Sequence, residues 1–303
     1  MNQTNDKQKA EQYRQAAEQG DAEAMQKLGQ CYFRGEGVPK DEDKASEWWK
    51  KAAELWHKSA EQGDAQAQYS LGWYYGFGAD KNETESAQWY RKAAEQGHVK
   101  AQYRLAGCYF HEKGVPEDKT EALQWYRKAA EQGYAEAMEM LGACYYYGWS
   151  VPKDKTEAVQ WYRKAAEQGH AEAMYNLGRH YCGYWEGTAV DAAEGMRWYH
   201  QAAEQGYAEA QYTLGECYLK GEYVSEDKAE AVKWFRKAAE QDGGLAAYEL
   251  GRCYIHGWGV PQDIIEAEKW LRAAKAQTMP DENIDTILTV IELMRKEKPE
   301  NKQ

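Results

Sequence analysis

The sequence predicts an all-α fold, a solenoid of stacked helix-turn-helix units, from three observations. A Leu-Gly pair, Leu-Ala in one copy, recurs at near-constant spacing: its leucine falls at Leu28, Leu71, Leu105, Leu141, Leu177, Leu214 and Leu250, in steps of 43, 34, 36, 36, 37 and 36 residues. Apolar residues keep a helical period on both sides of each pair, and glycine-bearing turns separate the periodic stretches. The repeat runs through nearly all of the 303 residues without a Ser/Pro/Gly-rich linker. One continuous domain is therefore expected: an N-terminal cap helix in 1–20, seven repeats in 21–276, and a C-terminal capping helix with a polar tail in 277–303.

Taken in order, Gln8 to Gln19 matches the second half of a unit and ends at Gly20, so the array opens with a lone helix. Each later unit has a first helix such as Ala135 to Tyr146, a turn such as Gly148 to Lys153, and a second helix such as Lys155 to Gln168. Asp118 and Asp154, each close behind a Val-Pro pair, stand where N-caps belong, and Gly133 and Gly169 where helices stop. Along the second helix Ala122, Tyr126, Ala129 and Ala130 form a stripe of one bulky ring among small residues. The first helix repeats the pattern with Ala137, Leu141, Gly142 and Tyr145. A mid-helix glycine costs about 1 kcal/mol relative to alanine, so a close helix crossing is expected there.

Three departures stand out. The 43-residue step contains a seven-residue duplication, Trp48 to Glu54 followed by Leu55 to Glu61, which predicts an overhanging second helix two turns longer with the same apolar face. The second unit has a shortened turn at Gly76 to Asn82, and the fifth replaces the usual turn by Gly183 to Asp191. After Ala276 the repeat gives way to a different helix, Pro280 to Lys296, with Ile284, Ile287, Leu288, Ile291, Leu293 and Met294 on its apolar side and Asp281 and Glu282 in its first turn. It is expected to cover the last repeat; dimerisation through it is the alternative.

Lys+Arg 38 against Asp+Glu 50 gives a formal charge of −12, which argues against general nucleic-acid or membrane-surface binding and makes a basic protein the easier partner. Residues 1–12 contain no apolar h-region and no run of about 18 apolar residues occurs, so a cytoplasmic monomer is expected unless a leader has been removed. Cys31, Cys108, Cys144, Cys217 and Cys253 share one repeat position, with Cys182 off that register; they read as small buried residues, with no disulfide expected. No catalytic motif, metal-ligand pair or cofactor loop occurs, and the seven histidines look scattered over different repeat positions.

The binding signal lies on the first helices. Two residues before the key leucine stand Gln26, Tyr69, Tyr103, Glu139, Tyr175, Tyr212 and Tyr248; four residues later stand Gln30, Trp73, Gly107, Ala143, Arg179, Glu216 and Arg252. Positions i and i+4 share a helix face, so both columns should project together, away from the Leu141/Tyr145 packing face. Tyr69, Trp73, Tyr103, Tyr175, Arg179, Tyr212, Glu216, Tyr248 and Arg252 are therefore the candidate partner-binding residues, since tyrosine, tryptophan and arginine favour binding hot spots. A structural ladder of tyrosines between repeats is the competing reading.

The motif AAEQGxAEAxxxLGxCYxxGxGVPKDxxxAxxWYRK resembles the repeat of the Sel1-like family, a relative of the tetratricopeptide family with longer units. Residues 21–276 match as seven units, with Gly35-Glu36-Gly37-Val38-Pro39 and Gly257-Trp258-Gly259-Val260-Pro261 carrying the additional turn. The resemblance implies a right-handed superhelix whose first helices line a concave groove, and a non-enzymatic adaptor that binds a protein or peptide. Some bacterial members look like immunity or virulence-associated proteins, so an acidic immunity-type inhibitor of a basic toxin is the alternative; an enzyme is a third reading that no motif supports. Secreted members carry a bridged cysteine pair in each repeat, and this sequence, with one cysteine per unit, departs from them.

Overall fold

The computed structural model describes residues 2–78, 80–185, 190–241, 243–277 and 282–297, and every regular element among them is an α-helix. The chain divides into two compact units, Met1–Ala158 and Val159–Gln303. The first holds α1 (Asn2–Glu18), α2 (Ala22–Arg34), α3 (Glu42–Glu61), α4 (Ala65–Phe77), α5 (Glu83–Glu95), α6 (Val99–Phe110), α7 (Lys119–Glu131) and α8 (Ala135–Tyr147); the division falls inside α9 (Lys155–Glu167). The second holds α10 (Ala171–Tyr181), α11 (Ala192–Glu204), α12 (Ala208–Lys220), α13 (Lys228–Ala239), α14 (Gly244–His256), α15 (Ile264–Gln277) and α16 (Glu282–Glu297). None of the described helices is long and apolar enough to cross a membrane.

Local chemistry sets the helix ends. Asp118 Oδ1 accepts from the backbone N–H groups of Thr120 and Glu121 at 3.0 and 2.9 Å, and Asp154 Oδ1 from Glu157 at 2.9 Å, as the cap positions predict. Gly133 and Gly169 end their helices at φ +89° and +86°, with nothing within 4 Å of where a Cβ would stand. Glycine is required there by the left-handed backbone and not by crowding.

The mid-helix glycines answer to crowding instead. A Cβ on Gly29, Gly72, Gly178 or Gly215 would begin 2.3, 2.4, 2.4 or 2.5 Å from the ring of Trp49, Tyr90, Tyr199 or Phe235 on the second helix of the same repeat. The close crossing expected at this position is thus a ring laid on bare backbone. In the third repeat Ala106 takes the slot and Gly107 follows it, and Tyr126 reaches Gly107 with its hydroxyl, 3.8 Å from an added Cβ. Around these contacts the leucines of the seven pairs, with the stripe alanines Ala122, Ala129 and Ala137, are fully buried.

The duplication gives α3 20 residues against 13 in α5 and α7. It carries two buried rings, Trp49 facing back onto Gly29 and Trp56 one copy later, so the apolar face is preserved. In the fifth repeat the residues of the unusual turn at 186–189 lie outside the described ones. Its flanks show one concerted change: His180 takes the usual cysteine slot, Cys182 moves to a buried place beyond it, and Gly195 replaces the stripe alanine. A Cβ on Gly195 would meet Cys182 Sγ at 2.5 Å.

The last helix, α16, packs on α15 through Ile284, Leu288 and Ile291, which join a core containing Leu271 and Ala274. Arg272–Glu292 and Lys275–Asp285 ion pairs at 2.9 and 2.5 Å flank the contact. Leu293, expected on the apolar side, is exposed, because two residues beyond Ile291 the helix has turned to its opposite face. Pro280, Asp281 and the side chains of Glu282 and Met294 lie outside the described residues.

Candidate protein-binding face

All nine candidate residues sit on first helices and are half-buried, so the tyrosine column does not stand clear of the stack as expected. Tyr69, Tyr103, Tyr175 and Tyr212 lean on Tyr90, Tyr126, Tyr199 and Phe235 of the second helix that follows, with ring centroids 5.8, 5.6, 5.6 and 5.9 Å apart. Three of them touch a second ring at the residue that opens the next first helix: His98 at 4.7 Å, Tyr134 at 5.3 Å and Tyr207 at 5.4 Å. Tyr212 has Gly243 at that place, where no ring can stand. Glu139, in the same column, is buried. The ladder reading and the surface reading coexist: one ring face is used by a neighbouring repeat, and what remains can line a cleft.

In the second unit Tyr175, Arg179, Tyr212 and Glu216 come together around a cleft of about 500 Å³, which Tyr184, Gly243 and Leu245 also line. Tyr184 and Leu245 are 52% and 61% exposed, so the cleft has an accessible apolar rim. Burial, with Glu216 adding to it, pushes the Tyr212 phenol up to about 12. An adjoining cleft of about 420 Å³ holds Glu216 and Arg252 with Glu249 and Trp258. There the Arg252 guanidinium donates to both Glu249 carboxylate oxygens at 3.0 Å and lies 5.5 Å from the Trp258 ring, while Lys220 holds Glu216 at 2.6 Å. In the first unit Tyr103 lines a separate cleft of about 510 Å³ that neither Tyr69 nor Trp73 enters. Trp73 packs edge-on against Trp49 at 5.5 Å.

A second regular contact escaped the reading of the sequence. In five helices an arginine bonds the tyrosine four residues past the next key leucine, always 18 residues on: Arg14 to Tyr32 at 3.1 Å, Arg127 to Tyr145 at 2.9 Å, Arg236 to Tyr254 at 2.6 Å, and likewise Arg91 to Tyr109 and Arg163 to Tyr181. His57 and His200 take the arginine's place and reach Tyr75 and Tyr218 at 2.9 and 3.1 Å. The constant spacing was the signal that could have revealed it.

The histidines are therefore not scattered. His98 and His170 open first helices, where the Nδ1 of each accepts a backbone N–H, from Ala101 at 3.2 Å and Ala173 at 3.3 Å. His111 and His256 stand six residues past their key leucines. An imidazole can serve as a cap acceptor or as a donor to a phenol, so repeat register assigns these residues better than the search for ligand pairs did. Among the described residues no group of three or more His, Cys, Asp or Glu gathers for a metal. All six cysteines are buried and free, and burial pushes the thiols of Cys108 and Cys144 up to about 11 and about 12.

The Sel1 repeat is the family description that matches, over residues 6–21, 22–57, 65–98, 99–134, 135–170, 171–207, 208–243 and 244–278. Among solved structures the chain is similar to a Sel1 repeat protein from Oxalobacter formigenes, at 32% identity and a TM-score of 0.71, covering 93% of this chain and 80% of that one. It is also similar to c5321, a protective antigen of uropathogenic Escherichia coli strains displaying an SLR fold, at 32% identity and a TM-score of 0.49, covering 96% of this chain and 68% of that one. No curated protein sequence matches it.

Proposed function

This chain belongs to the Sel1 repeat family, and we propose that it acts as a non-enzymatic scaffold that takes up a peptide or protein segment on its first-helix face, as a cytoplasmic monomer. The observation that carries this reading is the convergence of Tyr175, Arg179, Tyr212 and Glu216 on one open cleft of the second unit. Half-buried tyrosines supply rigid, amphipathic contact area at little entropic cost, and Arg179 and Glu216 offer opposite charges that would orient a bound segment. Gly243 leaves the Tyr212 side of the cleft without the ring that other repeats place there.

The test is capture of the partner on immobilised full chain, followed by titration against the Tyr175→Ala/Tyr212→Ala variant. A loss of affinity of about 1.4 kcal/mol or more, tenfold, is expected with the fold retained by circular dichroism. Unchanged affinity in a folded variant rejects the site. The formal charge of −12 favours a second reading, an acidic inhibitor of a basic effector. On that reading association with the captured partner slows steeply as salt rises, whereas a groove contact dominated by rings changes little.

A further inference from the structure

The cleft of the first unit differs in charge from the rest of the chain. Its lining includes Lys81, Arg104, Lys113 and His111, against one carboxylate, Glu83, which Lys81 already pairs at 3.0 Å. Arg104 and Lys113 have no ion-pair partner among the described residues, although the chain as a whole carries −12. One further feature points to an occupant. Phe77, 58% exposed, lies on the rim with its ring 5.8 Å from the Arg104 guanidinium, beside Tyr103. The space itself exists because the third repeat carries Gly107 where other first helices have Trp73, Ala143 or Arg179; apart from the Tyr126 hydroxyl at 3.8 Å, nothing meets a Cβ built there.

We propose that this cleft binds an aspartate or glutamate side chain of a peptide segment, with an apolar neighbour of that residue against Phe77 and Tyr103. Arg104 and Lys113 supply the charge. An acidic peptide fits better than a polyanion, because the surrounding surface repels nucleic acid and anionic membranes while the local excess of two cations matches one or two carboxylates. The site lies in the other compact unit from the cleft around Tyr175 and Tyr212, so it stands or falls independently of that assignment.

The experiment uses the full chain and two fluorescein-labelled, C-amidated hexapeptides that differ only in glutamate or glutamine next to a phenylalanine, followed by fluorescence polarisation. Saturable binding of the glutamate peptide is expected, with the glutamine peptide weaker by about tenfold or more. The preference should vanish in Arg104→Gln/Lys113→Gln. Binding should be lost in Gly107→Leu, which fills the cleft from a helix-interior position whose helix propensity the substitution improves. Thermal unfolding of each variant confirms that the fold is kept. Equal binding of the two peptides, no saturable binding up to millimolar peptide, or a preference that survives in either variant would each overturn the assignment.

Discussion

At Gly72 a side chain would begin 2.4 Å from Tyr90 Cδ1, and Tyr90 is 2% exposed, with no room to move aside; at Gly107 it would meet only the Tyr126 hydroxyl at 3.8 Å. Both glycines lie in helix interiors, where alanine is intrinsically better by about 1 kcal/mol. Overpacking at Gly72 should exceed that gain, since forcing atoms into a filled core costs about 1–3 kcal/mol. Gly72→Ala is therefore expected to destabilise the protein and Gly107→Ala to leave it unchanged or stabilise it by up to about 1 kcal/mol. Urea denaturation of the two variants checks this, and a gain in both would mean that the ring-on-glycine contact does not constrain the repeat. The same contrast separates the turn glycines, held by their positive φ, from the crossing glycines, held by a ring. The Leu-Gly pair marked the crossing, but which atoms cross is a tertiary fact.

Among the elements, caps and helices were legible because they depend on neighbours a few residues away: Asp118, Asp154, Gly133 and Gly169 behave as their positions predict. The direction of the tyrosine column was not, because whether Tyr69 or Tyr212 keeps a free face depends on the residue that opens the next repeat, His98 in one case and Gly243 in the other. His98 also couples a helix start to pH. Its Nδ1 accepts the Ala101 N–H at 3.2 Å while Nε2 faces Gln66 Oε1 at 3.0 Å, which fits an imidazole protonated only at Nε2. Burial lowers the pKa of His98, and also that of His200, below the usual histidine value of 6.5. Below about pH 6.5 the unfolded chain takes up protons that the folded chain refuses, so stability should fall as pH drops from there toward the folded value. In His98→Asn an amide oxygen keeps the cap and the titration is gone. The loss of denaturation midpoint between about pH 7.5 and pH 5.5 should shrink in that variant. An unchanged loss would assign the pH dependence elsewhere.

For the whole molecule the repeat period was the readable quantity, because a fixed step in sequence means that each helix pair buries its stripe against the next one. A partner is not readable in the same way, since the varied residues of the two columns obey no internal rule and gather only once the helices are placed: Tyr175, Arg179, Tyr212 and Glu216 come from helices about 37 residues apart. An array of this kind must also close its end. In the second unit that task falls to α16, whose Ile284, Leu288 and Ile291 are 3%, 6% and 3% exposed against a core that includes Leu271 and Ala274. A fully buried aliphatic side chain contributes about 1.5–3 kcal/mol, and part of that sum is offset by the order α16 must adopt. Ending the chain at Gln277 should therefore bare an apolar stripe on α15 and remove the Arg272–Glu292 and Lys275–Asp285 ion pairs. Because stability in a repeat array passes between nearest neighbours, amide exchange should quicken most in α15, less in α14 and least in α10. Mass-resolved hydrogen exchange on full-length and shortened chains would read that gradient. A uniform acceleration would instead mean that the second unit unfolds as one block, and unchanged exchange in α15 would mean that α16 adds nothing to the end of the array.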